Sequence, residues 1–460
     1  MLKSSNKVRC LFGTDGVRDV ANRGSMTPEM VMCLGRAFVF FLIDRGIPCP
    51  KIAIGMDTRK SGPMLESALV AGMTSAGAQV SLLGVFPTPA VSYITKTGDF
   101  DGGAVLSASH NPAEYNGVKF LDANGFKLSD EDEIAIEDYI GDNLLDEWRP
   151  TGASIGVIDV SEGHREQYLE WLQKQLNPLL TTGWNLVLDG ANGAASGLLE
   201  DLFADWKGNV HFCGIKPDGL NINDGVGVMH MKHLSDMVLK HGADLGIAFD
   251  GDADRVLLCD SKGRLIDGDL MLWVIGSWFA QENRLGGGVV ATVMSNMILE
   301  EKLAEKSIPL FRSIVGDRYV LEMMKSKNCL LGGEQSGHII ATDYVNTGDG
   351  LCTGLLFLRA CKELEEDVHT LNDRFVRYPQ LLKNVALKDR DKILSHPEMA
   401  LMVEDAEKRL KGNGRLLLRP SGTEPLLRVM VETKDSVLME EVCNYLVDGI
   451  HRLNEEEKTV

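Results

Sequence analysis

The chain lacks any excess of positive charge: 47 lysines and arginines stand against 66 acidic residues, a formal net charge of −19 at pH 7. That excludes a broad nucleic-acid face, because binding a phosphate backbone requires a basic surface. A small phosphorylated ligand would have to meet a local focus of cations inside an acidic shell. Long hydrophobic runs are also missing, and the longest, Leu270 to Ala280, is too short to span a bilayer. Met1-Leu2-Lys3 leads to Phe12-Gly13-Thr14-Asp15-Gly16 without a hydrophobic leader, so neither export nor a membrane partner is expected, and the expected compartment is the cytoplasm. The nine cysteines, at 10, 33, 49, 213, 259, 329, 352, 361 and 443, are odd in number and contain no C-x-x-C pair. A disulfide framework is thereby disfavoured and reduced core cysteines are expected. No low-complexity tract appears, and the only charge tail is Glu455-Glu456-Glu457.

What is present is a globular composition, 44% hydrophobic and 25% charged over 460 residues, too long for one ordinary core. Apolar runs that end in Gly/Asp loops recur at Ile52 to Asp57, Leu186 to Gly190, Leu245 to Asp250 and Val289 to Thr292. Helical patterns such as Glu66 to Ala76 lie between them, the alternation of a sheet covered by helices, and the repetition suggests one α/β unit used several times. Asn116-Gly117 and Asn124-Gly125 bracket Val118 to Asp122, which predicts a small antiparallel meander and hence mixed sheets. Turn-rich stretches at Trp148 to Gly156, Asp260 to Gly263 and Phe375 to Pro379 predict four domains, at 1–154, 155–258, 259–373 and 374–460, the last a smaller α+β domain.

Four loops carry chemistry. Ser107-Ala108-Ser109-His110-Asn111-Pro112 hangs a hydroxyl at the end of the buried-looking strand Gly103 to Leu106, with Asn111-Pro112 reading as a cap and a first-turn proline. Alone, Ser109 could equally satisfy a backbone N–H at a helix start. Asp250-Gly251-Asp252-Ala253-Asp254-Arg255 sets carboxylates at alternate positions, roughly 7 Å apart in an extended loop. All-oxygen ligation suits a hard divalent ion, Mg²⁺ before others. A calcium loop fails because Arg255 and Ser261 stand where Gly and Glu would be required. Gly332-Gly333-Glu334-Gln335-Ser336-Gly337-His338 offers groups that hydrogen-bond sugar hydroxyls, although a Gly-rich turn with a satisfied histidine is the commoner explanation of such a run. Arg419-Pro420-Ser421-Gly422-Thr423-Glu424-Pro425, with Arg428, makes a cup for a terminal phosphate and matches neither a Walker loop nor a dinucleotide fingerprint. His230 and His233 form H-x-x-H without a third ligand at suitable spacing, and one exposed helix face is the favoured reading.

In this order Thr14-Asp15-Gly16-Val17-Arg18, Ser107 to Pro112, Asp250 to Arg255, Glu334 to His338 and Arg419 to Thr423 resemble the α-D-phosphohexomutases, over essentially the whole chain. Gly333 to His338 with Val315-Gly316-Asp317-Arg318-Tyr319 is most similar to the bacterial branch acting on glucosamine phosphates; mannose and glucose mutases usually carry another residue at Gln335. Asp19 departs from the glycine common in that branch. The resemblance implies four domains around a central cleft, three of them related α/β units with mixed sheets. It implies a phosphorylated Ser109 that also lends an oxygen to Mg²⁺, one ion per subunit, held by Asp250, Asp252 and Asp254. Arg255, Arg318, Glu334 and Ser336 would contact substrate, and Arg419, Ser421, Gly422, Thr423 and Arg428 would grip the phosphate that is not reacting.

Phosphoserine carries about −1.5 to −2, so with three aspartates the local charge reaches about −5, more than one Mg²⁺ balances. Arg18, Lys119 and Arg255 are the expected compensating cations, and Lys119 or His338 the group exchanging the sugar proton. The implied reaction interconverts glucosamine 6-phosphate and glucosamine 1-phosphate through the 1,6-bisphosphate, upstream of UDP-N-acetylglucosamine and cell-wall precursors. The alternatives are a phosphomannomutase or phosphoglucomutase, a phosphatase, and a non-enzymatic sugar-phosphate-binding protein. Whether the chain forms a homodimer stays open.

Overall fold

Eighteen strands form four sheets in the computed structural model, which describes residues 9–141, 149–160, 162–420 and 425–456. The first sheet holds β1 (Val17–Val20), β2 (Lys51–Met56), β3 (Gln79–Val85), β4 (Gly102–Leu106), β5 (Tyr115–Asp122) and β6 (Ile158–Asp159), in the order β1-β5-β4-β2-β3-β6. The second holds β7 (Leu186–Asp189), β8 (Val210–Cys213), β9 (Leu245–Phe249), β10 (Val256–Asp260) and β11 (Leu265–Ile266), in the order β11-β10-β9-β7-β8. The third, β13-β12-β14-β15, is built from β12 (Val289–Thr292), β13 (Leu310–Ser313), β14 (Leu331–Gly333) and β15 (Ile339–Ala341). The fourth, β16-β18-β17, joins β16 (Gln380–Ala386), β17 (Gly414–Pro420) and β18 (Leu426–Thr433), all antiparallel.

The first three sheets repeat one unit. Its first strand lies between the second and third, parallel to both, and a fourth returns antiparallel beside the third: β3-β2-β4-β5, β8-β7-β9-β10 and β13-β12-β14-β15. Parallel neighbours need a crossover, and helices such as Gly62–Ser75, Met231–His241 and Asp317–Lys327 supply it. Strands covered on both faces read as continuous apolar runs, and β4 and β9 are buried at every position.

The chain divides into two compact units, one running to Thr292 and resuming over Ile308–Asn372, the other made of Val293–Ser307 with the chain from Asp373 on. The second unit packs the helices Pro397–Leu410 and Ser436–Glu456 on the fourth sheet, around Met402, Val429, Val431, Val442 and Leu446. Its early segment is tied in by polar groups. Arg415 donates to Val293 O (2.9 Å), Ser295 O (2.6 Å) and Glu432, whose other oxygen accepts from Met297 N (2.6 Å).

Three local expectations are corrected. Asn111-Pro112 starts no helix: the chain turns directly into β5. Asn116-Gly117 lies inside β5, where a Cβ on Gly117 would stand 2.6 Å from Ser107 O; close approach, not a turn, requires that glycine. Asp260 to Gly263 is the hairpin turn between β10 and β11, so a division at 258/259 would cut β10. No helix among the described residues is long and apolar enough to cross a membrane.

Candidate active site

The repeated unit places three of the chemical loops at one equivalent position, the link from its third strand to its antiparallel fourth. Ser107 to Pro112 joins β4 to β5, Asp250 to Arg255 joins β9 to β10, and Glu334 to His338 joins β14 to β15.

The serine loop is held from below. Ser107 Oγ donates to Asp57 Oδ2 (2.7 Å) and accepts from Ser109 N (2.9 Å). Arg59, fully buried, pairs with Asp57 (2.8 Å) and donates to the carbonyls of Ser109 (3.0 Å), Asn111 (2.8 Å), Tyr115 (3.0 Å) and Pro112. Asn223 Nδ2 donates to Ser109 O (2.9 Å) and Asn111 O (3.1 Å). With its carbonyl so fixed, Ser109 adopts a left-handed φ of 51°, costly for a residue with a Cβ. Its Oγ donates to Asp250 Oδ2 at 2.6 Å.

Asp250, Asp252 and Asp254 are buried, with carboxylate oxygens within 4.8 Å of one another. Lys119 Nζ, on β5 and 2% exposed, answers them at 2.9 Å from Asp252 and 3.5 Å from Asp254, and it also lies 3.1 Å from Asp15. Thr88 Oγ1 donates to Asp252 (2.7 Å). Burial pushes the Asp250 carboxyl well up, reinforced by the charges of Asp254 and Asp252. Burial also acts upward on Asp254, but Lys119 and then His338 hold it well below the usual range. Against its own burial, Lys119 is raised by Asp15, Asp252 and Asp254. One oxygen each of Asp252 and Asp254 is buried without a hydrogen-bond partner, in an all-oxygen set. Those orphaned acceptors fit a hard divalent cation.

In the third loop Glu334 Oε1 accepts from Gly316 N (3.0 Å), and Oε2 lies 3.4 Å from the exposed Ser336 hydroxyl. His338 is buried between Asp254 and Asp317, each 3.6 Å away. Arg255 Nε stands 3.8 Å from Asp254, and Arg18 pairs with Asp15. Asp19 anchors the chain after Arg18 by accepting from Val20 N (2.7 Å) and Ser25 N (3.0 Å). Arg318 does not join this group: it donates to Leu128 O (2.7 Å) and pairs with Asp130 and Glu133. In the second unit Arg419 and Arg428 are direct partners across β17 and β18. Ser421, Gly422 and Thr423 lie outside the described residues.

Family profiles for phosphoglucomutase/phosphomannomutase match in chain order, the α/β/α domains I, II and III over residues 9–145, 166–263 and 267–378 and the C-terminal domain over 382–449. The chain belongs to the phosphoglucomutase/phosphomannomutase family. It is 45% identical over 444 residues to the phosphoglucosamine mutase of Bacillus licheniformis, covering 95% of this chain and 98% of the relative. With that of Bacillus subtilis it shares 45% identity over 446 residues, with the same coverage. Among solved structures, a phosphoglucomutase/phosphomannomutase family protein of Burkholderia thailandensis superposes with a TM-score of 0.79 at 22% identity, over 96% of both chains. The N-acetylphosphoglucosamine mutase of Aspergillus fumigatus, solved with GlcNAc-6P and magnesium, gives 0.66 at 18%, again over 96% of both.

Sequence reasoning passed over several groups that build this family site. Asp57 ended a recognised strand but drew no role, and Arg59, Thr88 and Asn223 carry no local motif. Lys127, which bridges Asp15 and Asp317, is equally silent. His110 Nδ1, 3.4 Å from Ser109 Oγ, is pushed down first by burial and then by Arg255 and Arg18.

Proposed function

We propose that this chain is an isomerase, an intramolecular phosphotransferase that interconverts glucosamine 6-phosphate and glucosamine 1-phosphate, with Ser109 carrying the phosphoryl group and Asp250, Asp252 and Asp254 holding Mg²⁺. The observation that carries the reading is the 2.6 Å contact of Ser109 Oγ with Asp250, beside two carboxylates bridged by Lys119. The amino-sugar choice is supported by the Bacillus relatives and by Gln335 in the third loop.

The sugar hydroxyl oxygen attacks the phosphorus of phospho-Ser109, the P–Oγ bond breaks, and the hydroxyl proton leaves to a basic side chain. His338, 3.6 Å from Asp254, is placed to take and return it, whereas Lys119, held charged against its own burial by Asp15, Asp252 and Asp254, stays a cation. Bound at the aspartates, the ion neutralises charge on the phosphoryl oxygens. Arg18, Lys119 and Arg255 supply the remaining positive charge, and Glu334 and Ser336 orient the sugar. The 1,6-bisphosphate then turns over and returns its other phosphate to Ser109. A shared grip by Arg419, Arg428 and the 421–423 loop serves both orientations. The same reading puts the enzyme in the cytoplasm, on a step supplying UDP-N-acetylglucosamine, with four domains whose second border lies after β11, and leaves a homodimer open.

Intact mass with phosphopeptide mapping, paired with coupled assays on glucosamine, glucose and mannose 6-phosphates, tests this. Phosphate on Ser109 and preference for the amino sugar are expected. Phosphate on Ser107 overturns the serine assignment, preference for glucose or mannose 6-phosphate overturns the substrate, and stoichiometric release of free phosphate points to a phosphatase.

A further inference from the structure

The second sheet carries another convergence of donor groups, outside the loops that hold the reactive serine and the three aspartates. The parallel neighbours β7 and β8 end at Asp189 and Cys213, which are Cα partners, and the helix Met231–His241 brings His233 to them. The carboxylate, thiol and imidazole donor atoms all lie within 4.8 Å of one another. Residues distant in sequence thus supply what the His230/His233 spacing alone does not.

The carboxylate is already aimed. Asp189 Oδ1 accepts from Ala191 N (2.9 Å) and Oδ2 from Gly227 N (2.8 Å), leaving a lone pair on each oxygen. Cys213 Sγ has only a long contact, 3.7 Å, to Leu188 O. Among the described residues no hydrogen bond joins the three side chains to one another, so they converge without satisfying one another. His230, exposed at the end of the short turn Val228–His230, is near enough to bear electrostatically on Asp189. It also lines a cavity of about 570 Å³ shared with Met229, Leu220 and Asn223.

We propose that Asp189, Cys213 and His233 form a second metal site, for a borderline-soft divalent cation such as Zn²⁺, with His230 or water as fourth ligand. One sulfur, one nitrogen and one oxygen select against Mg²⁺, which demands oxygen, and for Zn²⁺, which takes all three. Closing from 4.8 Å to the spacing of a tetrahedral site requires side-chain movements of about 1 Å. Binding releases the thiol proton to water. The site also touches the serine loop's support: Ala191 O accepts from Asn223 N (2.9 Å), and Asn223 holds the Ser109 carbonyl.

The test is titration of the full-length, Mg²⁺-saturated protein with Zn²⁺ against a chromogenic chelator, and with Co²⁺ while recording its spectrum. Wild type is expected to bind one equivalent more tightly, by on the order of tenfold or more, than either Cys213→Ser or His233→Gln. The cobalt protein is expected to show a thiolate charge-transfer band that is absent from Cys213→Ser, and both variants should keep their Mg²⁺-dependent turnover. Equal binding by all three proteins overturns the proposal. So does loss of binding in Cys213→Ser with none in His233→Gln, which would mark a lone thiol, or loss only in Asp252→Asn, which would place Zn²⁺ at the three aspartates.

Discussion

Charges in the serine region and in the arginine region are arranged on opposite plans. Around Ser109 acids and bases answer one another inside the fold: Arg59 with Asp57, Lys119 with Asp15, Asp252 and Asp254, and Lys127 with Asp15 and Asp317. On β17 and β18 two arginines stand directly opposite, half-buried, with no carboxylate paired to either among the described residues. Like charges facing each other across a strand pair destabilise it, so an anion from outside would relieve this arrangement. On the proposed reading, the reacting groups are preorganised by the protein, whereas the distal grip would be completed by its ligand.

The comparison breaks most severely at the nucleophile. Ser109→Ala should cut turnover by more than about 10⁴-fold while the thermal midpoint stays near wild type, since no other acceptor replaces the hydroxyl. Loss of activity together with loss of fold would show the serine to be structural.

Next in size is Arg59→Ala, which strands the buried Asp57 and the loop carbonyls; urea unfolding should record a loss of about 3 to 5 kcal/mol. A loss under 1 kcal/mol would show the inner pairing to be dispensable. Asp252→Asn removes an anionic ligand and the partner of Lys119. Its turnover should fall about 10² to 10³-fold, and chelation should inactivate the wild type.

Asp349 is a buried acid with no cation paired to it among the described residues, accepting from Tyr168 Oη (2.8 Å) and Cys352 N (2.9 Å), and burial pushes its carboxyl up to about 6. A raised acid pKa means that the folded state binds the proton more tightly, so stability contributed below pH 4 declines as pH rises to 6. Asp349→Asn keeps one oxygen to accept from Cys352 N, turns its amide towards Tyr168 Oη, which then accepts instead of donating, and cannot ionise. It should unfold later than wild type above pH 6, by up to roughly 3 kcal/mol, with the advantage vanishing below pH 4.

Arg419→Ala sharpens the contrast from the other side. It should weaken glucosamine 1-phosphate and 6-phosphate alike by about 1.5 to 3 kcal/mol without lowering stability. Weakening of one alone would refute a shared grip.

Much of the site was legible because the serine and aspartate loops each follow a buried apolar strand, a pattern visible at Gly103 to Leu106 and Leu245 to Phe249. The repeated unit was legible only as recurrence, since strand order depends on pairing between distant segments. Arg59 and Asn223 were invisible because they bind backbone carbonyls, which carry no sequence signal. Arg318 stood in a motif but spends its guanidinium on Asp130 and Glu133. Asn116-Gly117 misled because the glycine answers to the Ser107 carbonyl packed against it, not to a reversal of the chain.

The excursion of Val293–Ser307 into the second unit sets an order of events during synthesis. Its helix, Met297–Ala304, leaves the ribosome well before Arg415 and Glu432, the residues that later bind Val293, Ser295 and Met297. Until β18 emerges, that segment would lack its Arg415 and Glu432 partners, although β12 and β13 on either side of it can already pair. A nascent chain stalled before Gln380 should therefore be nicked by protease within 293–307, and released full-length protein should be protected there.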